Sequence, residues 1–161
     1  MTTTLLIGKT ESVFDELKNM HDRIASRAYD IFARNGRSDG RELDDWFEAK
    51  RELVWEPSIE LSETDKTFVL DMAIPGVDAK DIDMEVTPEY LVVKAGFRHG
   101  HEEGKRKIHA CEFESGRLFR SIQFPKTINP DRVKAELHEG ILRITAEIAV
   151  DQRKKIEIKA A

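Results

Sequence analysis

Apolar side chains recur every three or four residues over the first third of the chain and every second residue after it. The stretch "ESVFDELKNMHDRIASRAYDIFARNG" places Val13, Phe14, Leu17, Met20, Ile24, Ala28, Ile31 and Phe32 at helical spacing. Ser12 is a candidate N-cap, and Asn35-Gly36 is a stop signal. After "RSDG", the stretch "RELDDWFEAKRELVW" repeats the pattern with Leu43, Trp46, Phe47 and Leu53. Asp39, with Glu42 three residues on, suits its N-cap. The spacing predicts an α-helical hairpin that ends by Pro57.

Beyond Pro57 the period is two. "SIELSE" sets Ile59 and Leu61 on one face, and "TFVLDMAIPG" alternates Phe68, Leu70, Met72 and Ile74 before the turn Pro75-Gly76. "DIDMEV" alternates strictly, and "YLVVKA" follows it across "TPE" as a hairpin. "VKAELH" and "ILRITAEI" flank Glu139-Gly140 as a second hairpin. Short strands separated by regular turn signals predict a mainly β chain, an antiparallel β-sandwich. Between the hairpins lies "GFRHGHEEGKRKIHACEFESG", long, charged and glycine-spaced. A connection of that length is functional or contains structure of its own. Its "KIHACEF" part has some strand character and could pair with another chain.

The totals narrow the classes of function. The 161 residues weigh 18.5 kDa, enough for one domain plus added elements. A net charge of −5 argues against non-specific binding to nucleic acid or an anionic membrane. No apolar run approaches the roughly 20 residues that span a bilayer. The opening "MTTTLLIGKTES" has a three-residue apolar patch and no basic leader, so we expect no secretory signal. The single cysteine, Cys111, fits a reducing cytoplasm.

Catalytic chemistry is not expected, nor any cofactor or metal. His99, His101, Glu102, Glu103 and His109 could be drawn together as a metal site, but histidines so spaced in a charged loop suit solvation. No partners that would orient such ligands are evident. The sequence shows no obvious base at short range from Cys111. The glycine turns lack the phosphate-cradling spacing that ATP hydrolysis would need.

Three ordered stretches carry a resemblance. Pro75-Gly76, then Arg120 with Phe124-Pro125, then Ala135 with Gly140-Ile141-Leu142 resemble the α-crystallin domain of small heat shock proteins. Phe124 stands where the family usually has leucine, and Ile141 where it has valine. The resemblance implies an immunoglobulin-like sandwich over residues 55–148, a helical region 1–54 and a tail 149–161. The helical part is unlike the family's usual disordered arm. Its R-A-Y, G-R-x-x-G-R and D-x-W-x-x-A features instead resemble a short bacterial module of unknown function.

The tail "KKIEIKAA" contains Ile156 and Ile158. In extended backbone both point the same way, with Glu157 opposite. The resemblance implies that such an I-x-I pair docks in an apolar groove on a neighbouring subunit. The groove is expected between "DIDMEV" and "VKAELH", walled by Ile82, Met84, Val133, Ala135 and Leu137. The other reading makes "IEI" the end of a last strand in the same subunit. The resemblance also implies a dimer contact at Arg120, Phe97 and Ile108, with the long loop exchanged between partners. For Arg120 the alternative is a rim position with a solvated head.

The expected function is that of an ATP-independent holdase, a cytoplasmic homo-dimer and higher homo-oligomer that covers partly unfolded clients. Phe14, Leu17, Ile31, Phe32, Trp46 and Phe47 are the candidate client contacts, with helix packing or assembly as the competing role. A monomeric adaptor resembling CS-domain co-chaperones and a metal-dependent enzyme built on the histidine loop are the alternatives.

Overall fold

The computed structural model describes residues 5–7, 10–97, 100, 107–112, 116–150 and 156–160. Strand β1 (Leu5–Ile7) comes first and is followed by helix α1 (Thr10–Arg34) and helix α2 (Glu42–Leu53). α1 starts two residues before Ser12, so that serine lies inside the helix and not at its cap. The stop is where expected. Gly36 takes φ +81°, the Gly36 N–H reaches the Ala33 carbonyl, and the Arg37 N–H donates to the Phe32 carbonyl at 3.0 Å. That left-handed ending is one a glycine adopts without steric cost. The N-cap of α2 is Arg41, not Asp39, and no side chain caps it. Instead the Glu42 carboxylate accepts the Gly40 N–H at 3.1 Å. Backbone N–H groups, first its own and then that of Gly40, hold the Glu42 carboxyl below its usual range.

The two helices close on each other through Ile24, Ile31 and Ala49, with Met20, Ala28, Trp46 and Leu53 at the margin. Arg27 pairs with Glu52 at 2.6 Å and Arg34 with Glu48 at 3.1 Å along the seam.

The β part is a sandwich of two four-stranded sheets. Sheet A runs β1, β4 (Ile82–Val86), β5 (Tyr90–Phe97), β6 (Gly116–Gln123). Sheet B runs β2 (Ile59–Glu63), β3 (Thr67–Ala73), β8 (Ile141–Ile148), β7 (Ile128–His138). All pairings are antiparallel except β1 on β4, which is parallel. Alternation does what it predicts: Phe68, Leu70 and Met72 of β3 and Leu142, Ile144 and Ala146 of β8 face one buried core.

The β7–β8 turn explains one sequence signature. Glu139 and Gly140 have φ of +48° and +79°, the pair of positive angles a tight type I′ hairpin needs. A Cβ on Gly140 would lie 3.1 Å from the Pro75 Cα, and the Gly140 carbonyl accepts the Ile74 N–H at 2.8 Å. Gly140 and Pro75 are thus one packed unit, 65 positions apart in sequence.

Two strands were not read from the pattern, β1 and β6. The described part of "KIHACEF", Lys107–Glu112, forms no strand here.

Candidate functional site

The five expected groove residues all belong to the sandwich core or pack against it. Ile82 and Met84 on β4 are buried in the sandwich core, while Val133, Ala135 and Leu137 on β7 pack against that core half-buried. The sequence reading did not foresee what lies beside them. β1 pairs along the outer edge of β4 and also reaches β7, so the side of the sandwich between these strands is bridged by the chain's own N-terminal segment.

The described tail residues, 149–150 and 156–160, form no strand of their own subunit. β8 ends at Ile148, and residues 156–160 have no regular structure. Ile156 is 81% and Ile158 94% exposed. Two large aliphatic side chains are therefore presented to solvent.

Arg120 shares the inward parity of Leu118 and Ile122, yet its side chain is about a third exposed, at 29%. It lies 3.8 Å from Glu56, which also holds Lys50 at 2.9 Å. Within one chain it joins β6 to the end of the helical hairpin. Ile108 is exposed. The side chain of Phe97 and much of the loop, including His99, His101, Glu102 and Glu103, lie outside the described residues. Among the described residues no group of three His, Cys, Asp or Glu side chains could hold a metal.

The helical hairpin is docked on the outer face of sheet A. Val13 of α1 and Val54 pack on Val92 of β5 and Phe119 of β6, with Leu17, Met20, Leu53 and Tyr90 around them. Past α2 the chain is stitched to the β6 edge. The Trp55 N–H donates to the Arg117 carbonyl at 2.9 Å, and the Phe119 N–H donates to the Trp55 carbonyl at 3.2 Å. A charged cluster flanks this contact: Lys94 of β5 donates to Glu16 of α1 at 2.6 Å and pairs with Asp83 at 3.2 Å. Burial alone lowers the Lys94 pKa, but its hydrogen bonds to Glu16 and Asp83 outweigh burial, and the net shift is upward. The second oxygen of Glu16, Oε2, is buried and has no hydrogen-bond partner among the described residues.

The candidate client contacts are divided by this docking. Ile31 is fully buried between the helices, so it meets a client only if the hairpin opens. Leu17, Phe32 and Trp46 are half-buried. Phe14 and Phe47 are each 49% exposed, Phe14 lying edge-on to Tyr90 at 5.5 Å. Tyr29 and Leu43, not among the expected client contacts, are also exposed. The sequence did hold a signal for the docked face. The unbroken run Leu91-Val92-Val93 marks a strand buried on both sides.

The profile described as "Hsp20/alpha crystallin family" matches residues 60–160, well over half of the chain. The chain belongs to that family. Small heat shock protein C2 of Rickettsia felis is 35% identical over 104 residues, covering 64% of this chain and 68% of that protein. Among solved structures, heat shock protein 16.0 from Schizosaccharomyces pombe superposes with a TM-score of 0.56 at 24% identity, over 66% of this chain and 99% of that one. HSP18.5 from E. histolytica gives 0.53 at 25%, over 65% and 99%. Membership in a family of small heat shock proteins supports a chaperone role, and the family match brings no enzymatic domain. Residues 19–54 match a second profile, described as a protein of unknown function (DUF2934). This is the helical region that resembles a bacterial module. Among the described residues no helix is long and apolar enough to cross a membrane.

Proposed function

We propose that this Hsp20/alpha crystallin family member is an ATP-independent holdase. It acts as a cytoplasmic homo-oligomer that covers apolar surface on partly unfolded proteins. The observation that carries the reading is the exposed pair Ile156 and Ile158, on a chain whose edge strand β7 keeps Val133, Ala135 and Leu137 only half-buried.

Burying two isoleucines contributes roughly 3–6 kcal/mol at ~1.5–3 each. Ordering three residues costs about 1–2 kcal/mol each. One tail therefore holds weakly, and many tails on one particle hold well through effective concentration. Dimers form through the long loop, whose strand-like part adds to a partner's sheet. The outer edge of β2 has no neighbouring strand among the described residues, and it is the natural acceptor. Arg120 and Ile108 lie at or near that contact, with Phe97. Clients meet Phe14 and Phe47, with Leu17, Phe32 and Trp46 contributing at their exposed margins.

The test is a light-scattering assay of a heat-denatured model client without nucleotide. Suppression of scattering at near-equal subunit concentrations supports the holdase. Precipitation at the rate of client alone overturns it, and a monomer that binds one folded partner points to the adaptor instead.

A further inference from the structure

Strand β1 and the tail share a pattern. Leu5-Leu6-Ile7 and Ile156-Glu157-Ile158 each set two large aliphatic residues two positions apart, on one face of extended backbone. β1 lies parallel to β4, with Leu5 opposite Met84, Leu6 opposite Glu85 and Ile7 opposite Val86. The other edge of β4 is taken by β5. A strand has only two edges for backbone pairing. With β1 in place, the outer edge of β4 is taken from Met84 to Val86, and another segment cannot pair there. On the same side, Val133, Ala135 and Leu137 stay only half-buried, and the tail pair stays exposed.

We propose that the outer edge of β4 is a single exchangeable slot. The chain's own β1 holds it at rest, and the tail of a second copy enters when β1 leaves. The proposal rests on the tail-docking reading above and adds its regulator. Residues 8 and 9 alone separate β1 from α1, and α1 is anchored on sheet A through Val13. So short a tether keeps β1 near the slot at an effective concentration of about millimolar, and a free tail must compete with it. Three residues bind weakly on their own, so the exchange is reversible. If β1 fills the slot nine-tenths of the time, the apparent affinity of the tail falls about tenfold. Undocking the helical hairpin lengthens the tether, and this gives the unusual front of the chain a role in assembly.

The experiment measures binding of a fluorescent peptide of residues 150–161 by anisotropy. The receptor is the full chain carrying Ile156→Asp and Ile158→Asp, so that its own tail is silent. A second receptor adds Leu5→Asp and Ile7→Asp, with circular dichroism confirming that it is folded. The expected result is binding about tenfold tighter to the second receptor. Equal, measurable affinities overturn the exchange and leave tail docking standing. Absence of binding to both overturns the exchange and the docking together. A lock gives an independent reading: Leu6→Cys with Glu85→Cys, opposite each other across the β1–β4 pair, in a Cys111→Ser background. Oxidation is expected to abolish peptide binding and reductant to restore it. Undiminished binding to the locked chain overturns the proposal.

Discussion

At the scale of single residues, Gly140 is required twice, by its positive φ and by its contact with Pro75. Gly140→Ala should cost about 2–4 kcal/mol, the sum of left-handed strain and a forced shift against backbone. Gly76 also has positive φ, at +80°, but nothing lies within 4 Å of an added Cβ. Gly76→Ala should therefore cost only about 1–2 kcal/mol. Urea midpoints of the two variants test the difference, and equal losses would remove the Pro75 contact from the explanation. A second residue-scale expectation concerns acid. Arg143 grips Asp71 through two hydrogen bonds of 2.6 and 2.7 Å across the β3–β8 pair. It holds the Asp71 carboxyl below its ordinary value. A lowered folded pKa means stability that is present above the unfolded value and lost as pH falls through the folded one. Asp71→Asn should thus matter little once pH has fallen below the lowered folded pKa, where the Asp71 carboxyl is protonated in the folded and unfolded wild type alike, and more at neutral pH. Denaturant midpoints between pH 2 and 7 should show the two curves converging in acid.

Among the elements, the docking of the helical hairpin on sheet A decides what the chain can expose. Its polar contact is the Lys94–Glu16 pair, with side chains 31% and 28% exposed. Lys94→Met leaves Glu16, already with one unpartnered buried oxygen, without its cation. The pair lies between surface and buried ion pairs in exposure, and the expected loss is about 1–2 kcal/mol. The Lys94 pKa is raised from 10.5, so its contribution is full below that value and is lost as pH climbs through the raised one. The stabilities of wild type and Lys94→Met should converge in strong alkali, and a constant gap would deny the pair its role. On the apolar side, Phe119→Ala empties the centre of the same contact and should cost about 3–5 kcal/mol. Hydrogen exchange should show α1 and α2 opening before the sandwich does.

How far these elements were legible follows from their burial. β3, β4 and β8 bury one face, so strict alternation revealed them. β6 buries Leu118 on the core side and Phe119 beneath the helices, and two buried faces erase the period of two. β1 is three residues long, too short for any period to register. The helix ends show the same limit. Gly36 announced its turn, but α2 starts on backbone geometry around Arg41 that no capping side chain marks. The strands that carry the expected groove residues were legible because both are regular. The pairing of β1 along β4 was not, since only the paired backbone shows it.

For the whole molecule the question is how copies assemble. Arg120 is partly exposed and 3.8 Å from Glu56 within one chain. In an isolated subunit Arg120→Gly should cost less than about 1 kcal/mol. A loss of several kcal/mol, growing with protein concentration, would show a carboxylate buried against it between copies. On the proposed holdase reading, warming should raise client capacity, because weakly docked tails would release and free apolar surface.

The most direct measurement is the particle mass, by size-exclusion with light scattering, of the full chain beside the full chain carrying Ile156→Asp and Ile158→Asp. Strand docking between copies predicts a large particle for the first and a dimer or smaller species for the second. Equal masses, or a lone subunit in both, would contradict it.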